Sequence, residues 1–69
     1  MKLINAEENL TAEVTLNGQL LTVRTLLADG GELTGWNYDY AAEGFDPEYA
    51  AEAYAYEITR YERAGYAKV

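Results

Sequence analysis

The sequence predicts an α+β fold in which a small antiparallel sheet packs on one C-terminal helix. Three observations carry this: an apolar alternation from Leu10 that turns at Asn17-Gly18 and returns to Leu27, an aromatic β-rich segment at 32–40, and a capped amphipathic stretch at 47–64. The 69 residues allow a single acidic domain over 1–69, with the thin core that a chain of this size can bury. Because 49% of the residues are hydrophobic and 13% aromatic, a folded domain is expected rather than a disordered acidic tail.

Residues 1–5, Met-Lys-Leu-Ile-Asn, are expected to form a short edge strand. The hairpin spans 10–27. Asn17-Gly18 has the composition of a two-residue type I′ turn, which pairs Leu16 with Gln19, Val14 with Leu21, Ala12 with Val23 and Leu10 with Thr25. That register places Ala12, Val14, Leu21 and Val23 on one face and sets Glu13 opposite Thr22, diagonal to Arg24. Ala28-Asp29-Gly30-Gly31 is a turn by composition. In the strand at about 32–40, Trp36, Tyr38 and Tyr40 share a face, and Gly35 marks a bulge or bend.

The helix is expected at about 47–64. Asp46 is placed to cap free amides, Pro47 suits the first helical position and Glu48 complements the positive end of the dipole. Gly65 supplies a left-handed stop, and Arg60 and Arg63 fall in the last turn. At about 100° per residue, Ala50, Ala51, Tyr54, Ala55, Ile58 and Tyr61 face the sheet, while Glu48, Tyr49, Glu52, Tyr56, Arg60 and Arg63 face away. Tyr66 to Val69 reads as a short final strand or a frayed tail.

Residue types exclude much chemistry. With no histidine, cysteine or serine, no imidazole can activate a hydroxyl or thiol, and the lysines, Lys2 and Lys68, lie at the chain ends. Asp39, Glu43 and Asp46 could form an acid–base carboxylate pair, but so small a fold offers little depth for a cleft. A calcium loop through Asn37, Asp39, Glu43 and Asp46 lacks an oxygen ligand at Ala41 and has its glycine misplaced. No enzymatic activity, cofactor or metal is expected. The absence of cysteine favours a reducing compartment, and the apolar run at the N-terminus is too short for a signal core, so a cytoplasmic location is expected, with no membrane partner.

The net charge of −7 opposes direct contact with nucleic acid. It is also segregated. From Thr25 to Thr59 there are eight acids and no lysine or arginine, whereas the remainder of the chain carries four acids and five bases. Solubility alone does not require such segregation, which points to a basic protein partner. Glu48 and Glu52 stand one helical turn apart, about 6 Å along the axis, with Tyr49 and Tyr56 beside them as aromatic anchors. The candidate partner-binding surface is therefore Asp39, Glu43, Asp46, Glu48, Tyr49, Glu52 and Tyr56.

In size, acidity and its base-free aromatic surface, this chain resembles the small phage-encoded anti-CRISPR inhibitors that act as DNA mimics. The residues that carry the resemblance are the eight acids, Asp29, Glu32, Asp39, Glu43, Asp46, Glu48, Glu52 and Glu57, with Tyr49 and Tyr56. It implies a non-enzymatic, phage-encoded protein in the host bacterial cytoplasm that binds a CRISPR effector and blocks its DNA-binding site. A monomer or weak homodimer is expected. Two alternatives stand beside it: a self-associating scaffold module that uses the Trp36, Tyr38 and Tyr40 stripe, and a designed mini-domain with no partner.

Overall fold

The computed structural model describes all 69 residues, and the fold is α+β as the sequence predicts. The elements in chain order are β1 (Lys2–Asn5), β2 (Leu10–Asn17), β3 (Leu20–Leu27), β4 (Glu32–Asp39), α1 (Pro47–Arg63) and β5 (Ala67–Lys68). All pairings are antiparallel, in the sheet order β4-β3-β2-β1-β5. Strands β1 to β4 form a meander, and α1 carries the chain back across one face so that β5 can pair with β1. The tail after α1 is thus a short strand, and β1 lies inside the sheet instead of forming its edge. The long-range pairing of Leu3 with Lys68 and Ile4 with Ala67 moves the edge outward by one strand.

The β2–β3 register differs by two residues from the sequence expectation: Asn17 faces Leu20, Leu16 faces Leu21, Val14 faces Val23 and Ala12 faces Thr25. Gly18 has φ +63° while Asn17 has no positive φ, so glycine occupies the first central position of the turn, the pattern of type II′, not the second as in Asn-Gly type I′ turns. A shift of two keeps every side chain on its face, and Ala12, Val14, Leu21 and Val23 are all buried. On the opposite face the shift brings Glu13 directly across from Arg24, and the two form an ion pair at 3.2 Å.

In β4 the irregularity falls at Leu33, since Thr34 pairs with Thr25 and Glu32 with Leu26. Gly35 is therefore not the bulge. Its role is spatial: a Cβ there would come within 2.9 Å of the Glu32 carboxylate, which reaches back to bond Arg24 Nε at 2.9 Å.

The helix ends in a Schellman motif. Gly65, at φ +100°, follows the C-cap Ala64; the Gly65 N–H donates to the Glu62 carbonyl at 3.2 Å and the Tyr66 N–H to the Tyr61 carbonyl at 3.1 Å. The rings of Tyr61 and Tyr66 meet edge to face at 5.0 Å, the apolar contact that accompanies this motif. The chain then turns directly into β5.

The helix buries Ala50, Glu57, Ile58 and Tyr61, with Ala53 and Tyr54 half-buried, while Ala51 and Ala55 are exposed. Its buried stripe is rotated by roughly 50° from the one expected. The large side chains Tyr54, Ile58 and Tyr61 set that orientation, and Glu57 comes in because Arg60 neutralises it at 2.8 Å. The core joins Leu3, Ala12, Val14, Leu21 and Val23 to Ile58 and Tyr61, with Leu16, Tyr40, Ala53, Tyr54 and Tyr66 packed around it.

One polar contact lies inside this core. Thr25 Oγ1 and Tyr61 Oη are 2.8 Å apart, and both residues are buried. Either change alone, Thr25→Val or Tyr61→Phe, leaves a buried hydroxyl unpaired and should cost about 1–3 kcal/mol in urea unfolding. The double variant should lose clearly less than the sum of the two; strict additivity would show that the bond contributes nothing.

Candidate functional site

The helix lies over β2 and β3 and touches β5. Every residue of β4 is exposed. Trp36 and Tyr38 pair with Val23 and Leu21, so they stand on the helix side of the sheet, yet they keep 44% and 39% of their surface exposed. Beyond β4 the chain turns tightly into the helix. The Tyr40 N–H continues the ladder to the Gln19 carbonyl at 3.0 Å, the Phe45 N–H donates back to the Tyr40 carbonyl at 3.0 Å, and Asp39 Oδ1 accepts the N–H groups of Ala41 and Ala42 at 3.1 and 3.2 Å.

This folded loop assembles a row of rings. Tyr38 and Tyr40 lie 4.6 Å apart, Tyr40 and Phe45 5.5 Å, and Phe45 and Tyr49 5.4 Å, in tilted or edge-on arrangements that aromatic quadrupoles favour. The row joins the end of β4 to the start of α1. The sequence marks Tyr49, with Tyr56, as an anchor on the helix and gives no role to Phe45. The spacing of rings at 38, 40, 45 and 49 across a predicted turn is the signal that could have found it.

Asp46 holds the N-cap position with extended backbone (φ −67°, ψ 151°), and the Tyr49 N–H donates to its carbonyl, but its carboxylate makes no capping hydrogen bond. The expected side-chain cap is therefore not formed, and the charge stays free at the positive end of the helix. Asp39, Glu43, Glu48 and Glu52 are also exposed. Tyr56, 64% exposed, stands apart from the ring row on the outer helix face. There Glu52, Ala55, Tyr56, Thr59, Arg60 and Arg63 line an open depression of about 400 Å³. Five of the seven candidate residues, Asp39, Glu43, Asp46, Glu48 and Tyr49, thus gather around the loop and the first helical turn, while Glu52 and Tyr56 share the depression on the outer helix face.

Ion pairing reshapes the acidic field. Two of the eight acids in the base-free stretch are bonded to arginines that flank it: Glu32 to Arg24 at 2.9 Å and Glu57 to Arg60 at 2.8 Å. The hydrogen bond that Arg24 donates to Glu32 holds its pKa above the ordinary value, and the bonds that Arg60 donates to Glu57 do the same for Arg60, in each case against partial desolvation. Asp29, Asp39, Glu43, Asp46, Glu48 and Glu52 take part in none of the four ion pairs. Glu57, which the sequence placed on the acidic surface, is buried and compensated. No three acidic side chains come together in a way that could hold a metal ion. No helix is long and apolar enough to cross a membrane.

Compared with protein-family models, with curated proteins and with solved structures, the chain matches none.

Phe45 links two rings that would otherwise not meet. Phe45→Ala should lower stability by about 1–2 kcal/mol and speed amide exchange from Ala41 to Asp46, whereas Tyr56→Ala should change stability by less than about 0.5 kcal/mol. Equal effects of the two substitutions in urea unfolding would contradict this division.

Proposed function

We propose that this protein is a non-enzymatic acidic inhibitor that binds a basic, nucleic-acid-handling protein and occupies the surface that the protein uses for nucleic acid. The observation that carries this reading is the set of six exposed carboxylates, Asp29, Asp39, Glu43, Asp46, Glu48 and Glu52, that have no cationic partner within the chain. Glu43, Asp46 and Glu48 belong to the loop and first helical turn that carry the ring row from Tyr38 to Tyr49, with Asp39 on the opposite sheet face and Glu52 one turn further along the helix. Carboxylates interspersed with exposed rings complement a groove in which arginines meet phosphates and flat side chains meet bases. The resemblance to anti-CRISPR DNA mimics names the effector class to try first, and it implies action in the bacterial cytoplasm. In this reading the protein makes no direct contact with nucleic acid or membrane and uses no cofactor.

A second reading rests on a separate observation. Trp36 and Tyr38 are exposed beside an unpaired strand edge, as a self-associating module would require. Light scattering at high concentration separates the two, since the inhibitor reading needs no dimer.

Binding to a purified CRISPR effector complex should compete with its target DNA and weaken steeply as salt rises from 50 to 300 mM, on the order of tenfold or more. The double change Glu48→Gln and Glu52→Gln should weaken it further at low salt and flatten the salt dependence. Binding that ignores both salt and these changes would refute electrostatic mimicry.

A further inference from the structure

Strand β4 is an open edge, and its free hydrogen-bonding groups can be assigned. The Tyr40 N–H bonds the Gln19 carbonyl, in register with the pairs Tyr38–Leu21 and Trp36–Val23. In an antiparallel ladder the residues that bond across the pair alternate with those that do not. Trp36, Tyr38 and Tyr40 therefore direct their backbone groups inward to β3. Gly35, Asn37 and Asp39 direct theirs outward, where no strand lies beyond β4.

Natural edges are blunted by proline, lysine, covering loops or shortness. This one spans eight residues and carries neither proline nor lysine. Its charges are Glu32 and Asp39, one at each end, and both stand on the sheet face opposite the helix: Glu32 through its contact with Arg24, Asp39 by register with Leu20. A second copy of this chain pairing antiparallel over the full length of β4 would set each Glu32 against the partner's Asp39. Like charges directly opposite are destabilising. Full-length self-pairing is thus disfavoured, whereas a cationic strand meets Asp39 as the free charge of the edge, Glu32 being paired with Arg24.

We infer that β4 is a strand-addition site for an extended segment of a basic partner protein, one that alternates cationic and apolar side chains. Its backbone bonds Gly35, Asn37 and Asp39. Its apolar side chains lie beside Trp36 and Tyr38 on the helix side, and its cationic side chains stand on the other face, where Asp39 is the acid without a cationic partner. The backbone supplies the affinity and the two faces supply the alternation. This deepens the proposed function, on which it rests, by naming how the basic partner is held.

The test uses the full chain and an acetylated, amidated eight-residue peptide alternating arginine and valine, followed by calorimetry and amide exchange. The peptide should bind and slow exchange at the Gly35, Asn37 and Asp39 amides, while a block peptide of four arginines followed by four valines should bind at least about tenfold more weakly. Two N-methylated peptides remove alternate backbone donors. Methylation of one set must weaken binding at least about tenfold and methylation of the other must not, the arginine set if the strand adds antiparallel and the valine set if parallel. In the protein, Asn37→Pro removes an outward N–H without touching the β3 ladder and should weaken the peptide similarly, with circular dichroism confirming the fold. Failure of the alternating peptide to bind overturns strand addition, as does binding indifferent to methylation of either set. If effector binding still depends on salt and on Glu48 and Glu52 in that event, the acidic-inhibitor reading stands and only the strand-addition inference falls.

Discussion

An α-helix with its side chains is about 10 Å across, and neighbouring strands are about 4.8 Å apart, so one helix can cover little more than two strands of a sheet. In this protein five strands share a single 17-residue helix. Because α1 must return the chain from β4 to the far side of β1, it crosses β3 and β2, and those strands hold most of the core. Only 11 of the 69 residues are buried, which leaves the outermost strand β4 uncovered although its Trp36 and Tyr38 point to the helix side. The exposed ring row, the open edge and the thin core follow from that one limit of coverage.

Charge is distributed unevenly over this frame. Glu57 at the margin of the core is compensated by Arg60, and on the open face of the sheet Glu13 and Glu32 flank Arg24 across three adjacent strands. Where the chain is uncovered, from Asp39 through the loop to Glu52, the carboxylates have no partner. Exposed ion pairs contribute little to stability, so the absence of cations there costs the fold almost nothing. The region is free to carry charge for another purpose, and the ring row from Tyr38 to Tyr49 gives that charge a rigid base.

Elements governed by local chemistry were legible in the sequence. The hairpin at Gly18, the helix start at Pro47 and its stop at Gly65 each depend on residues close in the chain, and all three were located. Features governed by distant pairing were not. The two-residue shift of the hairpin leaves every side chain on the same face, so the hydrophobic pattern cannot detect it. The inner position of β1 depends on β5, more than sixty residues away. Glu57 looked like surface charge because its burial depends on Arg60 and on a helix rotation set by Tyr54, Ile58 and Tyr61. Of the candidate site, the exposure of Glu48 and Glu52 was readable from helical periodicity and that of Asp39, Glu43 and Asp46 from their place in an acidic loop, but the ring row was not, since it requires the loop from Tyr40 to Phe45 to close on itself.

Strand addition requires β4 to be a free edge in the isolated protein. Amide hydrogen exchange along β4 tests this without any partner. The Trp36 and Tyr38 amides, bonded to β3, should exchange at least about tenfold more slowly than those of Gly35, Asn37 and Asp39, which face solvent. Uniformly slow exchange along the whole strand, growing slower as protein concentration rises, would show that a second copy covers the edge and would contradict the account.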